Sequence, residues 1–167
     1  MPLAQLRPGP NWSAGLLARE PRATTTRGQP DPEVVRRHLA ALREALANLR
    51  RHAGRSAQEL RANADLRWTV ERGLQLCVQN VLDIATHLAA ASGLDSPDYA
   101  TAIDRLAELA VLPAEFAARL RPLAGFRNVL VHGYLQVDLN ILERILKEQL
   151  ADLETFAGFV EAHLARI

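Results

Sequence analysis

The sequence predicts an all-α protein, an up-and-down bundle of about five helices. Ala, Leu, Arg and Glu dominate the 167 residues and β-branched residues are few, a composition that favours helix. From residue 31 onward, apolar residues recur at three- and four-residue spacing, and no segment alternates as a strand would. The intervening stretches are short and contain glycine, proline or capping residues. The length suits one domain with a sizeable core.

The chain divides into two parts. Residues 1–30 are rich in proline and glycine and have no sustained periodicity, so we expect a disordered or loosely attached N-terminal extension. Residues 31–167 form the predicted helical domain. No internal repeat is visible.

The first helix of this domain begins at residues that are typical of a helix N-terminus. Asp31 is a good N-cap, Pro32 occupies the first helical position, and Gly54 is the expected end. Ser56 and Glu59 have the spacing of a capping box and predict a short helical segment.

The longest predicted helix runs from about Asn63 to Ala91. It is apolar over a wide arc, which predicts a central element packed on several neighbours, and Ser92-Gly93 closes it. Cys77 lies alone inside this run, so no intramolecular disulfide is possible and a reducing compartment fits.

Three further boundaries follow. Ser96 is the predicted cap of a shorter helix that ends near Ala110. The next helix begins at Pro113, and Pro122 should kink or interrupt it before Gly133 stops it. Asp138 caps the last helix, whose Leu, Ile and Phe have heptad-like spacing.

Several functional classes are excluded or disfavoured. The net charge of +1 gives no global basic field, although residues 31–72 carry nine Arg against six acids. No apolar run approaches the roughly 18 residues of a membrane span, and no secretory signal is evident, so we expect a soluble cytoplasmic protein.

The sequence contains no metal-binding or cofactor-binding motif. The five histidines are scattered and lack metal-ligand spacing, and neither a glycine-rich phosphate loop nor a nucleophile elbow is present. We therefore expect no metal and no cofactor. For His87 and Asp83, inside the long apolar helix, a structural hydrogen-bonding role is the interpretation we favour over a catalytic one.

Polar side chains gather in the stretch GFRNVLVHGYLQVD. Asn128 and His132 are four apart and share a helix face, so Asn128 could hold the imidazole or a bound phosphate. Arg127 is long enough to reach the same helix end, and Tyr134 follows just past the predicted break. A planar cation, an amide, a titratable base and a phenol thus meet at one helix end.

These groups suit phosphodiester cleavage. Histidine moves protons near neutral pH, arginine stabilises the charge that builds on a phosphate, and an RNA 2′-OH supplies the nucleophile without a metal. A single histidine cannot easily be both base and acid, so a symmetric homodimer with two clusters in one cleft is the arrangement we expect. The competing interpretation is a surface arginine followed by a capping histidine.

The string GFRNVLVHGY resembles the signature of the HEPN superfamily, specifically its HepT-like toxin branch, which carries Arg-Asn-x-x-x-His-x-Tyr at the end of its fourth helix. DPEVVRRHLAALREALANLRRHAG and VERGLQLCVQNVLDIATHL resemble the family's first and second helices. AIDRLAELAVLPAEFAARLRPLAGFRN resembles the approach to the motif. The resemblance covers about residues 31–160, and the extension at residues 1–30 has no counterpart in it.

The resemblance implies a homodimeric, metal-independent ribonuclease, the toxin of a type VII toxin–antitoxin system. Its partner would be an MntA-like nucleotidyltransferase antitoxin that transfers AMP from ATP to the motif tyrosine. Arg127 and His132 would be catalytic, Asn128 supporting, and Tyr134 the AMPylated residue. The alternative is a non-catalytic HEPN dimer that partners a nucleotidyltransferase or binds nucleotide.

Overall fold

A computed structural model describes residues 29–132 and 137–167. The predicted extension lies outside this range except for its last two residues, and Tyr134 lies in the gap. The described chain is helical: α1 Pro32–Arg50, α2 Ala57–Ala62, α3 Ala64–Ala91, α4 Tyr99–Glu108, α5 Ala114–Leu120, α6 Leu123–Val131, α7 Leu139–Arg144, a π-helical segment Ile145–Gln149, and α8 Leu150–Leu164. The prediction of an all-α fold is confirmed.

The first two helices begin as predicted. The Asp31 side chain accepts a hydrogen bond from the Glu33 N–H at 2.9 Å, with Pro32 at the first helical position. Ser56 and Glu59 form the reciprocal capping box. Helix α1 ends at Arg50, four residues earlier than expected, because the chain tightens into a turn before Gly54.

Helix α3 is the central element, as its wide apolar arc predicts. It packs against α1, α4 and α6. At Gly73 a Cβ atom would lie only 2.7 Å from Leu49 Cδ2 of α1, so the missing side chain allows the close approach of the two helices. Cys77 is fully buried in the hydrophobic core, and burial raises the pKa of its thiol to about 12.

The predicted N-cap of α4 is wrong, whereas its predicted end near Ala110 agrees with the structure to within two residues. Asp98, not Ser96, is the N-cap, and its carboxylate accepts from the Thr101 N–H at 2.7 Å. A carboxylate here outcompetes the earlier serine because it also interacts favourably with the positive end of the helix dipole. At the other end, the helix stops at Glu108, and Ala110 adopts a left-handed conformation with φ of 54°.

Pro122 separates α5 from α6, which confirms the predicted interruption. The last predicted helix begins after Asp138 as expected, but a π segment at Ile145–Gln149 divides it. Apolar spacing does not reveal a π turn because Ile145, Leu146 and Leu150 remain buried through it. Among the described residues, no helix has the length and apolar character to cross a bilayer.

Candidate functional site

Arg127 is half-buried on α6 and its guanidinium is fixed from three sides. Its Nε donates to Gln79 Oε1 of α3 at 3.1 Å, and its Nη1 lies 3.4 Å from Asn128 Oδ1. The guanidinium carbon stands 5.5 Å from the centre of the Tyr99 ring of α4, a cation–π contact. Three helices therefore hold one cation in a defined orientation.

The Gln79 amide is oriented by its neighbours. Arginine can only donate, so the oxygen faces Arg127, and the Nε2 donates to Asp83 Oδ1 at 2.7 Å and to the Tyr99 hydroxyl at 3.3 Å. Both ends of the amide are engaged, so Gln79 links Arg127 to a carboxylate one turn further along α3.

A histidine from α1 joins the same network. His38 Nδ1 lies 2.8 Å from Asn80 Oδ1 and 4.0 Å from Asp83 Oδ2. Because Asn80 Nδ2 donates to the Leu76 carbonyl, the Asn80 oxygen must accept, which assigns the proton to His38 Nδ1. Asn80 is the only buried polar side chain within the described ranges. We call His38, Gln79, Asn80, Asp83 and Tyr99 the support network.

His87 has the structural role that the sequence favours. Its Nε2 accepts from the Asp31 N–H at 3.2 Å, which joins the start of α1 to α3. Burial lowers the pKa of this imidazole, and the nearby His38 lowers it further, while Asp31 opposes the shift. The neutral form is therefore the one the fold prefers.

The remaining motif residues lie at the C-terminal end of α6. His132 is exposed, follows the last helical residue, and donates its backbone N–H to the Asn128 carbonyl at 3.0 Å. Asn128 is exposed, and its side-chain oxygen lies toward Arg127. That Asn128 also holds an imidazole or a phosphate stays a prediction, and Tyr134 lies outside the described residues.

The support network is the part of the site that the sequence motif does not contain. Asp83, for which the sequence favours a structural role, does hydrogen-bond to Gln79, and through Gln79 it also contributes to the position of Arg127. The available signal was the run of polar residues Gln79, Asn80 and Asp83 in an otherwise apolar helix. His38 and Tyr99 carried no signal, since only tertiary packing brings α1 and α4 to this face.

An apolar cavity lies away from the Arg127 cluster. A volume of about 360 Å³ lies between α3, α5, α6 and the π segment, lined by Leu74, Leu123, Phe126 and Ile145 among others. Its charged neighbours Arg119 and Asp152 pair with each other at 3.5 Å. Its lining contains no histidine. Among the described residues, no three His, Cys, Asp or Glu side chains gather as metal ligands.

The chain matches a known protein family. The profile of the family described as ribonuclease HepT-like covers residues 42–160, from the middle of α1 to near the end of α8. This chain belongs to the ribonuclease HepT-like family.

Two relatives in sequence are nucleases. The mRNA nuclease HepT of Shewanella oneidensis is 23% identical over 131 residues, which cover 78% of this chain and 98% of that protein. The tRNA nuclease HepT of Aphanizomenon flos-aquae is 28% identical over 112 residues, which cover 66% of this chain and 76% of that protein.

Solved structures share the fold. A tri-AMPylated HEPN toxin of Shewanella oneidensis, in complex with its MNT antitoxin, superposes with a TM-score of 0.69 at 21% identity, covering 78% of this chain and 98% of that one. The cytosolic protein YutE of Bacillus subtilis, of unknown function, gives a TM-score of 0.71 at 20% identity, covering 82% of this chain and 92% of that one.

Proposed function

We propose that this protein is a metal-independent endoribonuclease and the toxin of a type VII toxin–antitoxin system. The observation that carries the proposal is the fixed guanidinium of Arg127, held by Gln79 and Tyr99 beside the helix end that carries His132. A cation held in advance of substrate binding stabilises developing negative charge without reorganisation at the moment of reaction. Membership of a ribonuclease family and the two nuclease relatives support the same activity.

The proposed reaction is transesterification within RNA. The 2′-oxygen attacks the adjacent phosphorus, the P–O5′ bond breaks, and the products are a 2′,3′-cyclic phosphate and a 5′-hydroxyl. His132 takes the proton of the 2′-OH or returns one to the leaving 5′-oxygen, while Arg127 stabilises the charge on the phosphate. This transesterification requires neither a redox partner nor a metal ion.

A second copy of the chain would supply the second proton-transfer group. Arg127 lies within α6 and His132 is its C-cap, five residues further on, with a rise of about 7.5 Å between their Cα atoms, and each protomer has this motif only once. In a two-fold symmetric cleft, the two His132 side chains would divide the roles of base and acid. Variants that stay monomeric should then lose cleavage.

The proposed regulation is AMPylation of Tyr134 by an MntA-like nucleotidyltransferase antitoxin. The HEPN toxin of Shewanella oneidensis is tri-AMPylated in complex with its MNT antitoxin, and Tyr134 follows His132 by two residues in this chain. Each adenylyl group would add negative charge and bulk to the motif that carries Arg127, which opposes binding of the RNA phosphate. A Tyr134→Phe variant should accept no AMP and stay toxic in the presence of the partner.

The decisive experiment is expression of the protein alone in bacteria, with growth and RNA integrity as readouts. Wild type should arrest growth and produce new RNA ends, and Arg127→Ala and His132→Ala should do neither. Arg121→Ala is the matched control, because Arg121 is an exposed arginine paired with Asp104 at 3.1 Å outside the cluster. If all four chains are folded and behave alike, the protein is a non-catalytic binding module instead.

A further inference from the structure

An exposed tryptophan lies on the same helix as the Arg127 anchor. Trp68, in the first turns of α3, is 67% exposed, more than any other large apolar side chain in the described ranges. Gln79 follows it by 11 residues, which on an α-helix is three full turns plus about 20°, over about 16 Å. Trp68 and Gln79 therefore face the same direction from α3.

The side chains between them continue this face. Arg72 is exposed, and its Nη1 donates to Gln75 Oε1 at 3.1 Å. Both residues lie on the same face of α3 as Trp68 and Gln79, because they follow Trp68 at helical spacing. We call Trp68, Arg72, Gln75 and Gln79 the α3 stripe. It begins at an indole, passes an arginine and an amide, and ends at the group that holds Arg127.

Resting on the proposed ribonuclease function, we propose that the α3 stripe is a subsite for single-stranded RNA, with a nucleobase stacked on Trp68. Proteins bind single strands by combining aromatic stacking platforms with arginines along the backbone path. The strand that presents its scissile phosphate to Arg127 continues along α3, Arg72 contacts its phosphate or a base edge, and Trp68 stacks on a base a few nucleotides away.

The chemistry of the surroundings favours RNA over a protein partner here. On α3 the residues three and four positions from Trp68 are Ala64, Asp65, Glu71 and Arg72, so no large apolar side chain adjoins the indole on its own helix. A protein-binding anchor is normally surrounded by a contiguous apolar core, whereas a stacking platform needs only one ring face and solvated neighbours. The carboxylates of Asp65 and Glu71 disfavour a phosphate at this end, so the contact with Trp68 is to a base.

Tryptophan fluorescence tests the contact directly. The chain has two tryptophans, so Trp12→Phe leaves Trp68 as the single reporter. A 2′-O-methyl oligonucleotide of about 12 residues binds without being cleaved, because its 2′-oxygen has no proton to lose. The expected result is emission typical of a water-exposed indole and saturable quenching by the oligonucleotide.

Two outcomes of this titration would overturn the proposal. Emission that shifts to the blue as protein concentration rises, with no response to oligonucleotide, would assign Trp68 to an interface between copies of the chain. A blue shift only upon addition of the nucleotidyltransferase partner would assign it to that protein. Because the oligonucleotide is not cleaved, quenching is measured independently of catalysis.

Cleavage kinetics test the role in substrate binding. For a 12-nucleotide RNA, Trp68→Ala should raise KM about tenfold or more with kcat nearly unchanged, and Trp68→Tyr should restore most of the loss. A dinucleotide substrate cannot reach Trp68 and should be cleaved equally by all three chains. Arg61→Ala, an exposed arginine on α2 off the stripe, is the control.

Different results would refute the proposed subsite and the proposed ribonuclease function. Equal effects of Trp68→Ala on long and short substrates, or no effect on either, would refute the subsite while cleavage itself persists. Cleavage that survives Arg127→Ala would refute the proposed site whatever Trp68 does.

Discussion

Replacement of Gln79 by methionine should weaken catalysis without unfolding the protein. Methionine has similar length and volume but no hydrogen-bonding groups, so the bonds to Arg127, Asp83 and Tyr99 are all lost. The bond that matters for catalysis is the one to the guanidinium, because it fixes the direction in which Arg127 points. The partially exposed carboxylate of Asp83 can be solvated by water after the change.

The size of the effect follows from the strength of one hydrogen bond to a charged group. Such bonds contribute about 1.5–3 kcal/mol, and the lower value applies to a half-buried guanidinium. Since each 1.36 kcal/mol in transition-state stabilisation is a factor of about ten in rate, kcat/KM should fall about tenfold. Loss of the whole charge in Arg127→Ala should cost much more.

Cleavage of a defined RNA by purified protein gives kcat/KM, and thermal unfolding gives the stability of each variant. The matched control is Gln58→Met, the same substitution at an exposed glutamine of α2 outside the support network. A folded Gln79→Met protein with kcat/KM within twofold of wild type would show that the anchor does not position Arg127 for catalysis.

Three further predictions concern the fold. Gly73→Ala should destabilise by about 1–3 kcal/mol through the clash with Leu49, and Leu49→Ala in the same chain should relieve part of that cost, as a double-mutant cycle in urea would measure. His87 binds its proton less readily when folded, so stability should fall as pH drops below about 6.5, and His87→Gln should flatten that decline in unfolding measured from pH 8 to 5; an unchanged slope contradicts the assignment. Ala110→Gly should stabilise by about 0.5–1 kcal/mol because φ is 54°, whereas Ala107→Gly inside α4 should destabilise, and equal signs in thermal unfolding would exclude backbone strain.

Local signals predicted most of the fold correctly. The caps at Asp31 and Ser56 and the break at Pro122 act through neighbouring backbone groups, so sequence alone reveals them. The predicted start of α4 is wrong because two capping side chains, Ser96 and Asp98, lie two residues apart and the local sequence does not show which of them caps the helix. The sequence does not predict the π segment because the spacing of apolar residues continues through it.

The sequence by itself determined the helical fold, its central helix and the motif of Arg127, Asn128, His132 and Tyr134, because periodicity, capping and a short linear motif are local properties of the chain. Only the tertiary structure decided how Arg127 is held. Gln79 and Tyr99 come from helices that precede it by 48 and 28 residues. Their contact with the guanidinium depends on how α3, α4 and α6 pack, and helix packing is set by the fit of whole side-chain surfaces that no local pattern encodes.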